Sequence, residues 1–494
     1  MWTAAALALL SACAVWICFR NGWIEWYGDA EAHLNIARRI LDSQTPGYDQ
    51  LGTPWLPLPH LLMVPFARRD SLWFSGLAGA IPSAICFIIG ATFFFAAVRR
   101  IFESTAAAVA ATAVLALNPN LLYLQSTPMS EPVFLMAIAA LLYCTVRGWA
   151  TGAGIAALAA TMTRYDGWFL LPFVALYFLM KKNWRAALVF SVIAGAGPVY
   201  WLAHNWWLTG DALYFFRGPG SAAAIQGNAY YPGKQNWGLA FLYFRTAAQL
   251  CAGPVLTILA LAGAAAALIR RAFWPLLLLA LPPIFYIWSL HSSGTPIFVP
   301  ALWPNSYYNT RYGLAALPLL AFAAGALVAL WERPSGLPGL RLVTAAVIIA
   351  AVFPWLLHPH PETWVTWAES RANSTGRRAW TAEAAEFLKP QFRPGSGIIS
   401  SSGDDFAGIY RYLGIPLRET FSVSNGLVWE ATVRRPELWL WQEWAVVKRG
   451  DQVDQAIARA AKFGLRYQLE KVITQKDEPV IQIYRRIGAS HGPA

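Results

Sequence analysis

Residues 2–33 read WTAAALALLSACAVWICF and then RNGWIEWYGDAEAH. The first block is an uncharged apolar run of the length that crosses a bilayer as a helix, roughly 17–25 residues. Leu10-Ser11-Ala12-Cys13 looks like a lipoprotein cleavage box. No basic residue precedes it and the apolar run continues through Phe19, so an uncleaved first helix is expected. The second block places Asp29 almost at once beyond that helix, although residues 1–357 carry only eleven acidic side chains. A carboxylate kept where a membrane helix meets water is costly unless it does something. Its position suggests chemistry at a lipid surface.

Composition agrees with this class. Hydrophobic residues make up 57% of the 494 and charged residues 13%, with apolar runs recurring to about Leu357, the profile of a polytopic α-helical membrane protein. That profile argues against a soluble enzyme. The formal charge of +12 is uneven: 20 Lys/Arg against 11 Asp/Glu up to Leu357, and 18 against 15 beyond it. The excess in the membrane part suits anionic headgroups, phosphorylated lipid substrates or the cytoplasmic side. No soluble segment carries a concentrated basic stripe, which argues against nucleic acid. All five cysteines lie in apolar stretches, so no disulfide framework is read.

Apolar segments near 2–19, 72–98, 106–118, 132–146, 152–163, 168–180, 186–203, 250–269, 273–290, 314–331 and 342–357 give about eleven spans. Arg99-Arg100, Arg147, Lys181-Lys182 with Arg185, Arg270-Arg271, and Arg333 with Arg341 then share one side, which the positive-inside rule makes cytoplasmic. With the N-terminus cytoplasmic, the loops 20–71, 118–131, 163–167, 204–249 and 291–311 and the C-terminal tail all face outward. That external face holds most of the unusual polar residues.

Within the first loop, 29–41 reads as an amphipathic surface helix, with Leu34, Ala37 and Leu41 at helical spacing and Arg38-Arg39 flanking. Asp29 and Glu31 open it. The structural alternative for Asp29 is capping, with Glu31 complementing the helix dipole. His33, one turn on, either orients Asp29 or packs. The Pro-dense Leu51–His60 segment reads as a fixed interfacial turn, where His60 either donates to a phosphate or acceptor or holds the turn by a hydrogen bond.

Four features together carry a resemblance. They are the membrane-edge Asp29 opening a surface helix, Ser130-Glu131-Pro132 entering a later span, Thr163-Arg164-Tyr165-Asp166-Gly167-Trp168 between two short spans, and Arg311-Tyr312 before a late span. In this order they resemble the GT-C glycosyltransferase superfamily, and within it the protein O-mannosyltransferase and aminoarabinose transferase-like branch. The resemblance covers roughly residues 1–357. It implies inverting transfer of a sugar from a polyprenyl-phosphate donor outside the membrane, with Asp29 as general base or orienter of the acceptor hydroxyl. The family's first acid is often followed directly by another, whereas Ala30 here separates Asp29 from Glu31, which weakens a shared catalytic role for Glu31.

Arg164 and Arg311 are the candidates for the donor phosphate, because a guanidinium binds phosphate oxygens bidentately and stays charged near lipid. Pairing of Arg164 with Asp166, or interfacial anchoring, is the alternative for each. Glu131, Glu31 and Asp166 are candidates for the acceptor or a metal; Glu131 is equally read as capping the helix begun by Pro132. No cofactor is fixed by the residues. Some relatives use a divalent cation, and the sequence leaves that open.

After Leu357 charge rises and apolar runs shorten, and His358-Pro359-His360-Pro361 marks a boundary between a membrane domain, 1–357, and a small external α/β domain, 358–494. Helices are expected over 381–388 and 451–463, and strands over 397–401, 445–448, 466–473 and 480–485. Gly403-Asp404-Asp405 is either a ligand loop or an ordinary turn.

These readings point to a multi-pass enzyme of the bacterial inner membrane with a periplasmic C-terminal domain. Its partners would be a polyprenyl-phosphate-linked sugar, membrane lipids and an external acceptor: a glycolipid, glycan or protein. A ligase using a polyprenyl-diphosphate glycan is the nearest alternative. A transporter is a second, but transporters concentrate ionisable groups at the midplane and often show repeated halves.

Overall fold

The structure is a computed structural model that describes residues 2–292, 294–332, 339–357 and 362–487. Arg333 and His358-Pro359-His360-Pro361 lie outside the described residues. Contacts group the chain into two compact units. One comprises Met1–Trp23, Thr53–Pro59 and Ala80–Ala372, the other Ile24–Gly52, His60–Gly79 and Asn373–Ala494.

The first unit is helical. Among the described residues, six helices are long and apolar enough to cross a bilayer: Trp2–Arg20, Leu77–Phe102, Trp184–Thr209, Phe273–His291, Thr310–Trp331 and Leu340–Leu357. A further pair, Trp237–Ala252 and Pro254–Ile269, is bent by 106° at Gly253. Thr105–Ala116, Glu131–Val146, Ala150–Thr161 and Asp166–Met180 are apolar but shorter. At 1.5 Å per residue a twelve-residue helix covers only about 18 Å, against a hydrocarbon core of about 30 Å. The expected total of about eleven spans counted both classes.

Small residues let these helices approach closely, as they do where apolar burial alone cannot drive association. A Cβ on Gly263 would lie 2.0 Å from the Ala323 carbonyl oxygen, and one on Gly325 would lie 2.8 Å from the Ala111 Cβ. Backbone-to-backbone contact there fixes Pro254–Ile269, Leu317–Trp331 and Thr105–Ala116 against one another.

The second unit is α/β. Its five-stranded sheet runs in the order Thr420–Phe421, Ile398–Ile399, Trp444–Lys448, Ile481–Ile487, Arg466–Ile473. The first two pairings are parallel and the last two antiparallel, with a register shift between Leu469 and Lys471. Four of these strands fall where alternation placed them; Thr420–Phe421 was not foreseen. Asp451 starts the helix Gln452–Ala460 by accepting the Val453 and Asp454 N–H groups, each at 2.9 Å.

Composition gives no hint of what completes this unit's core. Leu34, Ala37, Met63, Ala67 and Trp73, from the first loop, are buried with Trp380, Ile398, Phe406, Tyr410, Trp444 and Ile483 from the C-terminal region.

Candidate functional site

The motif 163–168 makes a tight reversal between Ala150–Thr161 and Asp166–Met180. A side chain at Gly167 would meet the Ala160 carbonyl oxygen at 2.5 Å, so the close approach requires glycine. Thr163 Oγ1 donates to the Ala159 carbonyl at 2.6 Å and Trp168 Nε1 to the Thr161 carbonyl at 2.9 Å. Tyr165 donates to the Pro54 carbonyl and accepts from Trp201 Nε1. Arg164 therefore projects from a turn that is fixed on several sides.

Its guanidinium meets three elements. Nη1 donates to Ser130 Oγ at 2.9 Å and to Glu131 Oε1 at 3.3 Å, Nη2 donates to the Tyr286 hydroxyl, and Nε lies 3.4 Å from Asp166 Oδ1. Arg311 Nε donates to the same Glu131 Oε1 at 3.2 Å. The Tyr312 ring lies within cation–π distance of both guanidinium groups, 5.3 Å from Arg164 and 5.2 Å from Arg311. Ser130 holds the N-cap position of Glu131–Val146 but makes no cap bond; its hydroxyl serves Arg164 instead. The structure thus gathers Arg164, Arg311, Glu131 and Asp166, which lie far apart in the chain, and Glu131 bridges the two arginines.

These groups line one wall of a cavity of about 60 Å³ whose other walls are apolar, including Phe134, Leu135, Ile138, Pro282, Leu314 and Pro318. Glu131 Oε2 is buried with no hydrogen-bond partner among the described residues, leaving one acceptor position aimed at nothing in the protein. Such a site has positive groups able to meet an anion and a hydrocarbon surface beside them. Glu131 Oε1 is already held by two guanidinium groups, whose charge Glu131 and Asp166 offset. Among the described residues, no three His, Cys, Asp or Glu side chains form a metal-ligand cluster.

Asp29, Glu31 and His60 belong to the second unit. Asp29 is half-buried in the first turn of Gly28–Arg39, whose N-cap is Tyr27. Glu31 is bound on both oxygens, by Arg411 Nη2 at 2.8 Å and Arg377 Nη1 at 3.1 Å, and Arg411 Nε also lies 3.0 Å from Glu25. Burial pushes the Glu25 carboxyl up to about 7, against the pull of Arg411 and with a smaller push from Glu31. His60 is fully buried, its Nε2 2.8 Å from His33 Nδ1. Burial first, then the neighbouring His33 and Arg39, hold the imidazole well below its usual range. Asp404 receives Asn35 Nδ2 at 2.6 Å and pairs with Arg39 at 3.1 Å, so the turn at 403–405 ties the helix Gly28–Arg39 into its unit.

Sequence reasoning missed Glu369, Tyr286, Arg377 and Arg411. The Glu369 carboxylate accepts the backbone N–H groups of Thr310 and Arg311, both at 3.1 Å. It lies beyond the composition boundary, and no local pattern links it to residues almost sixty positions earlier. Tyr286 sits in an apolar run where one tyrosine reads as packing.

No family model matches the sequence, and no curated protein matches it. Among solved structures, the chain is similar to ArnT from Cupriavidus metallidurans, crystallised with undecaprenyl phosphate. The likeness has a TM-score of 0.56 at 16% identity, covering 97% of this chain and 98% of that one. It is also similar to the Archaeoglobus fulgidus oligosaccharyltransferase, with a TM-score of 0.46 at 14% identity over 90% of this chain and 69% of that one. At this identity the likeness to ArnT shows the fold alone.

Proposed function

We propose that this chain is a membrane glycosyltransferase that moves a monosaccharide from a polyprenyl-phosphate carrier to an acceptor hydroxyl on the external face of a bacterial inner membrane. The observation that carries the reading is the joining of Arg164 and Arg311, through Glu131, at an apolar-walled cavity. A polyprenyl phosphate presents the complementary pair, a phosphate and a hydrocarbon chain. That the structurally similar ArnT was crystallised with undecaprenyl phosphate supports the same ligand class.

In the proposed reaction the acceptor oxygen attacks the anomeric carbon as the bond from that carbon to the carrier phosphate breaks, inverting the centre. Asp29, from its place in the sequence, is proposed to take the hydroxyl proton as general base or to orient the acceptor hydroxyl. Arg164 and Arg311 meet the charge that grows on the departing phosphate, where fixed donors in a water-poor site are most effective. No covalent sugar–enzyme intermediate is needed, so one carboxylate suffices. The second unit is proposed to select the acceptor.

The test is transfer from a polyprenyl-phosphate sugar by the purified full chain, with the released carrier identified by mass spectrometry. Polyprenyl monophosphate as product, together with loss of turnover in a folded Asp29→Asn variant, is the expected result. Release of a diphosphate would assign the chain to glycan ligases, and near-normal turnover by Asp29→Asn would remove Asp29 from the mechanism.

A further inference from the structure

The first unit carries a second basic cluster, at the far end of the helices that bear the cavity groups. Glu131–Val146 and Asp166–Met180 each begin at the cavity and run to a groove of about 770 Å³, which Val146 and Lys181 help to line. Fifteen residues of helix separate the two by about 22 Å. The groove also holds Arg99, Arg100, Arg270 and Arg271, with Glu103 as its lone acid.

Two local effects explain part of this charge. Cations near helix C-termini offset the dipole, and Arg270 Nη2 donates to the Phe102 carbonyl at 2.9 Å, closing the end of Leu77–Phe102. Orientation in the membrane requires basic residues on one side. Neither effect requires Arg99, Arg100, Lys181 and Arg271 to converge on one concave surface, nor leaves them without a carboxylate partner among the described residues. Arg271 moreover stands at φ +55°, in the left-handed region that favours glycine.

The rim tells what would enter. Leu179, Met180, Leu268, Ile269 and Phe273, beside the groove in sequence, are exposed apolar side chains, and Tyr177 and Trp274 stack at 5.3 Å within its wall. Exposed apolar side chains thus flank the groove's cations in sequence, with an aromatic pair in its wall, a composition that suits an interfacial lipid site.

We propose that this groove seats the phosphodiester headgroup of an anionic membrane lipid, with Arg99, Arg100, Lys181 and Arg271 facing the phosphate and the exposed apolar rim meeting the acyl chains. This site is separate from the cavity at Glu131 and holds whether or not the chain transfers sugar.

The experiment is native mass spectrometry of the purified full chain in detergent, titrated with dioleoylphosphatidylglycerol or with dioleoylphosphatidylcholine of the same chains. Phosphatidylglycerol adducts should be retained at least tenfold better. Retention should fall by roughly fivefold for each cation removed in Arg99→Gln/Arg271→Gln, while Arg99→Lys/Arg271→Lys keeps it. Equal retention of the two lipids would overturn the proposal, as would unchanged retention in the folded glutamine variant. Loss of the phosphatidylglycerol adduct on adding millimolar inorganic phosphate would also overturn it, by assigning the groove to a free anion. If the glutamine variant fails to fold, the comparison of the two lipids on the unaltered protein still decides.

Discussion

Glu369 holds Arg311 by its backbone, Oε2 accepting the Arg311 N–H at 3.1 Å while Oε1 takes the N–H of Thr310. The guanidinium of Arg311 can therefore reach Glu131 without its own main chain being free to shift. Glu369 is a positioning residue in the proposed reaction. Glu369→Ala would leave two buried N–H groups without this acceptor, a loss of about 2–4 kcal/mol. Thermal melting should register it. In the protein that remains folded, KM for the lipid donor should rise more than kcat falls, and Glu369→Gln should recover part of the loss.

The two arginines share one carboxylate oxygen, so their removal should not add. Arg164→Gln or Arg311→Gln is each expected to lower transfer by about a hundredfold, the scale for losing one fixed donor to developing charge. The double variant should fall well short of the product, because both residues act through Glu131 and a common anion. A double-variant effect equal to the product of the single effects would indicate two independent sites.

Glu131→Gln separates organisation of the arginines from metal binding. The amide keeps the shape between them but removes a negative charge that competes with phosphate. Affinity for the free carrier, undecaprenyl phosphate, is expected to rise by about tenfold in a binding titration, with chelators leaving activity unchanged. A chelator-sensitive wild type with an inactive Glu131→Gln would mark Glu131 as a metal ligand.

Glu31 distinguishes anchoring from catalysis. Loss of its charge in Glu31→Gln leaves Arg377 and Arg411 under-compensated, and breaking such a pair typically costs about 3–5 kcal/mol. The expected outcome is a lower melting temperature with turnover per folded molecule kept within about threefold. Abolished turnover at an unchanged melting temperature would return Glu31 to the reacting groups.

The His33–His60 pair gives a pH dependence with a defined sign. The folded His60 lies well below its ordinary value of 6.5, so the unfolded chain takes up the proton first. Its contribution to stability is present above about pH 6.5 and is lost as pH falls below that value. The protection factors of the Gly28–Arg39 amides, with exchange referred to the intrinsic rate at each pH, should fall on acidification through this window, and His60→Gln should flatten the response. Glu25 acts with the opposite sense, its raised carboxyl favouring the fold at low pH and losing that contribution between about 4.5 and 7.

Much of this was legible in the chain. Long uncharged runs set the helical class because backbone polar groups in lipid must be satisfied within the segment. Glu131, Arg164 and Arg311-Tyr312 stood out because charge is expensive beside such runs, and the structure brings them to one cavity. The environments of Glu31 and His60 were not legible. Arg377, Arg411 and His33 reach them across large separations in sequence, and periodicity reports only neighbours one or two turns away.

The shared core of Leu34, Met63 and Trp73 with Trp380, Ile398 and Trp444 makes the tail indispensable to the segment that precedes it by hundreds of residues. A cut at position 358 would liberate a fragment with a raw, water-averse face, prone to clump, and would strip the helix bearing Asp29 of the bed on which it lies. What looks like an appendage in the primary structure is the foundation for the very loop where the chemistry is proposed to begin.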